Sequence, residues 1–250
     1  MWTFFHKLAS PPHFYRLADT LLPYIAVPGY LLVLYAVYAG LFVAPPDYQQ
    51  GDAFRIIYVH VPAAYLSMMA YVIMAIAGGI GLIWRMKLAH AVAASAAPIG
   101  ASFTFLALAT GSIWGRPMLG TWWEWGDPRL MSELILLFLY FGYIALRNAI
   151  DDTAKADKAS AVLALVGAVN IPIIHFSVER WTSLHQGSTI VRKGGPAMPP
   201  EMLNPLLISI LGFTLVFGSI LLRRVRTEVL HRERRTRWVR EMVLNTEGKS

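Results

Sequence analysis

The segment from residue 114 to residue 127 concentrates the side chains that could hold a flat aromatic ligand. It reads WGRPMLGTWWEWGD and lies between two long apolar runs. A tryptophan offers a large apolar face and one N–H donor. Trp122, Trp123 and Trp125 stand too close together to be only the scattered rings that anchor proteins at a bilayer surface. Because the intervening glycines favour a shaped loop, we expect a platform for a flat, apolar ligand.

Histidines near this platform could bind a metal. His60 follows a candidate helix cap at Asp52 and stands about two turns into the predicted helix, where an imidazole needs a partner. His185 lies in a polar loop, and His175 closes the preceding apolar run. Each has a plain structural interpretation: a bond to a helix carbonyl for His60, and solvation for His185. A neutral imidazole is also a common ligand for iron, and two facing imidazoles could hold a haem iron axially.

Charged residues flank the tryptophans. Asp127 followed by Pro128 predicts a helix start with Asp127 as its N-cap. Arg116 and Arg129 could pair with the carboxylates of an anionic ligand. They could equally be surface charges, and Arg129 could pair with Glu133 one turn further on.

The elements that position these residues are predicted to be membrane helices. The chain has 250 residues, of which 56% are hydrophobic and only 15% charged, against about 25% charged in soluble domains. Six apolar runs are long enough to cross a bilayer as helices, since lipid offers no partner to an open backbone. The sequence thus predicts an all-α integral membrane protein, a bundle of six transmembrane helices. The predicted spans are residues 21–44, 56–84, 91–113, 130–146, 159–175 and 203–222.

Basic residues set the expected orientation. Most of the 22 Lys and Arg residues fall in the odd-numbered segments outside the spans, counted from the N-terminus, and such an excess stays in the cytoplasm. Both termini are therefore predicted to be cytoplasmic, and the Trp-rich loop to face the periplasm of a bacterium. The C-terminal tail, from residue 223 onward, carries most of the difference in Lys and Arg count between the two sides. Residues 1–222 are predicted to form the membrane domain and residues 223–250 a basic cytoplasmic tail.

Several kinds of chemistry are disfavoured by residues that the sequence lacks. It has no cysteine, which excludes disulfides, thiolate metal sites and covalent CxxCH attachment of haem to this chain. No nucleotide-binding loop, metalloprotease helix or Ser/His/Asp arrangement occurs. We therefore expect neither an enzyme nor a nucleic-acid-binding protein. The N-terminal residues lack the pattern of a signal peptide, so the first apolar run should remain as an anchor.

Taken together, these residues resemble one family. The tryptophan segment is similar to the WWD signature of the haem-handling proteins of cytochrome c maturation, and the six-span size is similar to the CcmC family within that group. Other blocks of the resemblance extend over almost the whole chain. They are PPDYQQG at 45–51, RIIYVHVPAA at 55–64, APIGA at 97–101, SEL at 132–134, NIPIIH at 170–175 and LHQGST at 184–189.

The resemblance implies a haem site at the periplasmic face, where haem b is held transiently as cargo. The matching positions are His60 and His185 for the axial iron ligands, and Trp122, Trp123, Trp125 and Asp127 for the platform, with Trp114 as a weaker member. His175 is not at the ligand position. The implied partners are a periplasmic haem chaperone of the CcmE type, membrane and ATPase subunits of the CcmA, CcmB and CcmD types, and the lipid bilayer of the bacterial inner membrane. The implied role is delivery, extending at most to assistance with haem attachment to the chaperone.

The chain departs from the family's pattern in one place. Gly126 is an added residue, and Met131 stands where threonine is usual, which puts the pose of Asp127 in question. Arg55, Arg116 and Arg129 are the candidates for contact with the haem propionates.

Two other functions stay open from the sequence. One is a transmembrane conduit or exporter subunit for haem, although the spans carry few polar side chains to line a path. The other is a non-haem scaffold that recruits maturation partners, with the tryptophans as its docking surface.

Overall fold

The computed structural model describes residues 10–181, 183, 185, 195–196 and 198–247. Within these residues the chain is almost entirely helical and contains no strand, which confirms the predicted all-α class. The helices are α1 (Pro11–Tyr38), α2 (Ile57–Trp84), α3 (Lys87–Leu119), α4 (Pro128–Asn148), α5 (Thr153–Gly167), α6 (Asn170–Arg180), α7 (Pro200–Glu233) and α8 (Arg237–Glu247). A π-helical turn, Ala39–Val43, ends α1, and a 3-10 turn, Asp52–Ile56, leads into α2.

Six helical segments are long and apolar enough to cross a membrane, which confirms the predicted number. They are Pro11–Val43, Asp52–Trp84, Lys87–Leu119, Pro128–Asn148, Thr153–Val178 and Pro200–Glu233. The fifth span comprises α5 and most of α6. The first and last segments extend well beyond the apolar runs that predicted them, so the first residues of the basic tail continue α7 as helix.

Some residues that entered the charge count lie outside the described part of the chain. They are Lys7, Arg192, Lys193 and Lys249.

The bundle is built around α2 and α3, which pack along each other and both contact α7. Small side chains such as Ala63, Ala70, Ala93 and Ala97 are fully buried between these helices, and they allow close approach of helices in lipid. α1 lies along α7 at the edge of the bundle. There a Cβ atom on Gly212 would lie 2.8 Å from the backbone nitrogen of Val33, so only glycine permits this spacing.

The bundle has two ends of different character. The tryptophan end contains the loop at residues 120–127 and the first turns of α2, α4 and α7. The basic end contains the α2–α3 and α4–α5 turns, the C-terminal part of α7, and α8. The α2–α3 turn places Arg85 in the left-handed region, with φ of 54°.

The expected cap at Asp52 is wrong. Asp52 opens the 3-10 turn, and the structure shows no side-chain cap at that turn or at α2. Its carboxylate instead accepts a bond from Arg55 Nε at 2.9 Å. Arg55 also donates to the carbonyl oxygens of Gly40 and Ala44 at 3.0 and 2.8 Å, which satisfies acceptors at the end of α1.

Candidate functional site

A cleft at the tryptophan end brings together most of the predicted site residues. Its walls come from α2, α3, α4 and the loop between α3 and α4, and it holds about 670 Å³ of space including its open mouth. The predicted residues that line the cleft are His60, Trp114, Trp122, Trp123, Asp127 and His185.

The two predicted ligand histidines face the same cleft. The ring centroids of His60 and His185 lie 6.4 Å apart, with 29° between the ring planes. His175, the competing histidine, contacts Phe176 edge-to-face at 4.8 Å on α6. The pair that the structure brings together is therefore His60 and His185.

His60 is held in one orientation by α3. Its Nδ1 lies 2.9 Å from Thr110 Oγ1, and the Thr110 hydroxyl donates in turn to the carbonyl of Leu106 at 2.7 Å. A hydroxyl has a single proton, so with that proton directed to Leu106, Nδ1 of His60 is the donor to Thr110. This leaves Nε2 of the neutral ring with a lone pair that can bind a metal.

His185 lies beside Asp127. Its Nδ1 lies 3.9 Å from Asp127 Oδ1, and Ser183 Oγ donates to Asp127 Oδ2 at 2.8 Å. Burial lowers the pKa of His185, as does the nearby charge of Arg129, while Asp127 acts in the opposite direction. The ring is therefore kept in the neutral form that binds metals.

Asp127 also starts α4, as predicted. Its Oδ1 accepts a bond from the backbone N–H of Leu130 at 2.8 Å. The added residue Gly126 is accommodated in a turn, where the N–H groups of Gly126 and Asp127 donate to the side chain and the backbone carbonyl of Glu124. The insertion thus leaves the cap of α4 in place.

The four tryptophans have different environments. Trp114 lies within α3 rather than in the loop, and its Nε1 donates to Gln50 Oε1 at 2.9 Å. Trp123 is half-buried, and Trp125 packs edge-to-face on it with the centroids 5.7 Å apart. Trp122 and Trp125 are largely exposed, at 58% and 74%. Trp125 is the one predicted platform residue that does not line the cleft.

Comparison with known proteins identifies the family. The sequence profile described as "Heme exporter protein C" (CcmC) matches residues 4–240. The chain belongs to this family. It is 50% identical over 244 residues to the "Heme exporter protein C" of Escherichia coli strain K12, covering 98% of both chains. It is 48% identical to that of Bradyrhizobium diazoefficiens, covering 92% of this chain and 86% of the relative, and 46% identical to that of Haemophilus influenzae, covering 97% and 98%.

Three arginines of this CcmC-family chain, Arg55, Arg116 and Arg129, were candidates for contact with an anionic ligand. Of these three, Arg129 lines the cleft. Arg55 bonds to Asp52 and to two carbonyls at the end of α1. Arg116 donates to the carbonyl of Gly120 at 2.6 Å, where α3 ends. Arg129 is thus the cation best placed to meet an anionic ligand.

The sequence analysis did not identify the residues that hydrogen-bond to the site residues. Gln50 orients Trp114, Thr110 orients His60, and Ser183 bridges toward His185 through Asp127. Thr110 carries a usable signal, because it is a polar residue inside an apolar span. Gln50 and Ser183 lie in polar loops where nothing in the sequence distinguishes them from solvated residues.

Proposed function

We propose that this chain holds haem at the outer face of the bacterial inner membrane and delivers it to a periplasmic haem chaperone of the CcmE type. The observation that carries this proposal is the convergence of two imidazoles and a tryptophan loop on one cleft. The printed name of the relatives, "Heme exporter protein C", supports haem as the cargo. Haem b, taken up transiently and released unchanged, is the form that we propose.

The spacing of the histidines suits a metal bound between them. Half of the 6.4 Å between the ring centroids is roughly one metal–imidazole bond of about 2 Å plus the radius of the ring. Thr110 lies next to Nδ1 of His60, and Asp127 lies near Nδ1 of His185. In each ring this leaves Nε2 for a ligand. The hydrogen bond between His60 and Thr110 is of the kind that fixes ring orientation in metal sites.

The proposed chemistry is to hold the cargo and protect it. Two imidazole ligands fill the coordination sphere of the haem iron, which suppresses reaction with oxygen during transfer. Trp122, Trp123 and Trp125 offer apolar faces to the edge of the macrocycle. The Nε1 atom of Trp123 is buried and finds no acceptor within the described residues. Together with Arg129, it could bond to a propionate of the cargo.

The remaining parts of the proposal concern placement in the membrane. We infer that both termini are cytoplasmic and that the tryptophan end faces the periplasm, on the positive-inside rule. The basic end is then available to the bilayer's anionic lipids and to ATPase and membrane subunits of the CcmA, CcmB and CcmD types. The tryptophan end is available to the chaperone.

A surface holder is better supported than a conduit through the bundle. Below the cleft, the space between the helices is filled by fully buried side chains, including Tyr71, Met74, Leu136 and Tyr140. A protein interior of this kind is close-packed and leaves no path for a molecule as large as haem.

The ligand assignment can be tested with purified protein. Changing His60 or His185 to glycine should remove most of the bound haem and its low-spin absorption spectrum. Added imidazole should restore both, because it replaces the missing ligand in the space that glycine leaves. Changing His175 to glycine is the matched control, since this ring lies outside the cleft. Retention of wild-type haem in both ligand variants would reject the proposal.

A further inference from the structure

The acid at the floor of the cleft has no part in the function described so far. We propose that Glu133 is a neutral carboxylic acid and that haem binds preferentially to this form, so that loss of its proton weakens the hold on the cargo. This inference rests on the proposed haem binding, and it couples that binding to one proton.

Glu133 is fixed at the deep end of the cleft. It lines the cleft, is buried, and its Oε1 lies 2.6 Å from Ser67 Oγ. Ser67 lies two turns beyond His60 along α2, about 10 Å deeper in the bundle. The backbone carbonyl of Ser67 accepts a bond from the hydroxyl of Tyr140 at 2.7 Å. The carboxyl group is therefore held between α2 and α4.

The hydrogen bonds of Ser67 fit a proton on Glu133. Ser67 Oγ lies 2.8 Å from the carbonyl oxygen of Ala64 as well as 2.6 Å from Glu133 Oε1. A hydroxyl has a single proton, and both a carbonyl and a carboxylate can only accept. With a carboxylate at Glu133, one of the two contacts would lack a proton. With a carboxylic acid both bonds form, because Glu133 donates to Ser67 and Ser67 donates to Ala64.

The surroundings of Glu133 favour the same form. Among the side chains that the structure describes, Ser67 alone is hydrogen-bonded to the carboxyl group, and no cation forms an ion pair with it. A carboxylate is costly inside a membrane span, and a buried acid without an ionic partner becomes neutral instead. The part of α3 that lines the cleft carries no charged residue. The ionisable groups that face this region are His60 and Tyr71 on α2, Arg129 and Tyr140 on α4, and Glu124, Asp127 and His185 outside the helices.

Haem favours the neutral form of Glu133 because it carries two propionates. A carboxylate in the same cleft would repel them, whereas a carboxylic acid does not. Where Glu133 of the empty protein has lost its proton to water, a haem that binds takes one proton back from water. Linkage is reciprocal, so loss of that proton from the complex promotes release of the haem. Haem affinity should therefore fall as the pH rises through the ionisation of Glu133.

The first test is a haem titration of the purified full-length protein at neutral and alkaline pH. Wild-type affinity should fall by up to about tenfold per pH unit, the slope for one linked proton. Glu133→Gln cannot ionise but can still donate to Ser67, so its affinity should stay level over the same range. Glu201→Gln removes an acid from an exposed position at the start of α7 and should keep the decline. An equal decline in Glu133→Gln would overturn the coupling.

Infrared spectroscopy of the haem-free protein tests the acid itself. At neutral pH the wild-type protein and Glu201→Gln should show the C=O stretching band of a protonated carboxyl group, and Glu133→Gln should lack it. Absence of the band from the wild-type protein would overturn the proposal, even if the Glu133 variant fails to fold. Failure of the wild-type protein to bind haem would instead reject the proposed function, while the band would still decide whether Glu133 is neutral.

Discussion

The two ends of the bundle use polar residues in opposite ways. At the basic end, two arginines and two acids from three helices form a closed cluster of ion pairs. Arg232 on α7 binds both oxygens of Asp157 on α5 at 2.7 and 2.9 Å, and its Nε binds Glu228 at 2.8 Å. Arg147 on α4 bonds to Asp157 and, at 2.7 Å, to Glu228. Each charge in this cluster meets a partner within the protein.

At the tryptophan end, polar groups instead face a cleft. The lining includes two imidazoles and the guanidinium of Arg129, and the buried Trp123 N–H finds no acceptor within the described residues. This difference indicates that the basic end holds helices together, whereas the tryptophan end is arranged to bind a ligand. Charges that satisfy one another stabilise the bundle, whereas polar groups directed into a cavity retain capacity for a ligand.

The largest effect should come from breaking the cluster at the basic end. Asp157→Asn would leave two half-buried arginines with too little negative charge, and we expect a loss of stability of about 3 kcal/mol. The measurement is thermal unfolding in detergent. The haem spectrum of the folded fraction should not change. Asp151→Asn, an exposed neighbour, is the control, and an equal loss in both variants would refute a clamping role.

A smaller effect is expected between the two ends, where α3 crosses the core. A Cβ atom on Gly100 would lie 2.2 Å from the ring and hydroxyl of Tyr140. Gly100→Ala should therefore destabilise the protein by about 1–3 kcal/mol through overpacking. Gly79→Ala should be tolerated, because its nearest neighbour would be a leucine methyl at 3.6 Å. Comparable thermal unfolding of both variants would show that Tyr140 can move aside.

The two helix caps offer a direct comparison of the ends. Asp127→Ala should cost about 1 kcal/mol of stability through the lost cap. It should also weaken haem binding by about tenfold, because Asp127 supports His185. Asp152→Ala removes the cap of α5 at the basic end, where Asp152 accepts bonds from Ala154 and Lys155, and should leave haem affinity unchanged. Haem titration of both variants checks this expectation. Equal haem affinities in the two variants would show that Asp127 does not contribute to haem binding.

The smallest effect concerns pH. If His185 binds iron as proposed, its protonation competes with the metal, and the pKa of this ring is lowered by burial and by Arg129. Haem affinity should therefore stay level as pH falls to about 6.5, the ordinary pKa of histidine, and decline only below it. In Arg129→Gln the decline should begin at higher pH, since the neighbouring charge is gone. An unchanged pH profile in that variant would show that Arg129 does not act on His185.

The sequence predicted well the features that depend on composition and local chemistry. Apolar run length was sufficient for the number of spans, and the Asp-Pro pair was sufficient for the start of α4. Helix ends were predicted less well, because hydropathy identifies only the apolar part of a helix and not its polar extensions. α1 begins at Pro11, ahead of the apolar run, where Asp19 pairs with Arg226 at 2.9 Å and Tyr15 packs under the same guanidinium.

The cluster at the basic end was not predictable from the sequence. Arg147 and Arg232 each look like ordinary markers of the cytoplasmic side. Apart from the Glu228–Arg232 pair within α7, the paired residues lie 10 to 81 positions apart along the chain. Only the packing of α4, α5 and α7 reveals that these cations are held in ion pairs. Charge counting predicts the side of the membrane but not the use made of each charge.

The two imidazoles are mounted unequally. His60 is part of a long continuous helix and bonds to the neighbouring helix through Thr110. His185 lies in a non-helical segment, where its backbone N–H donates to Ser183 Oγ, which in turn donates to Asp127. If both rings bind the iron as proposed above, we expect the bond to His185 to exchange first while the bond to His60 persists. A ligand from the acceptor protein then takes the vacated position. The iron thus passes from one protein to the other without losing all of its protein ligands.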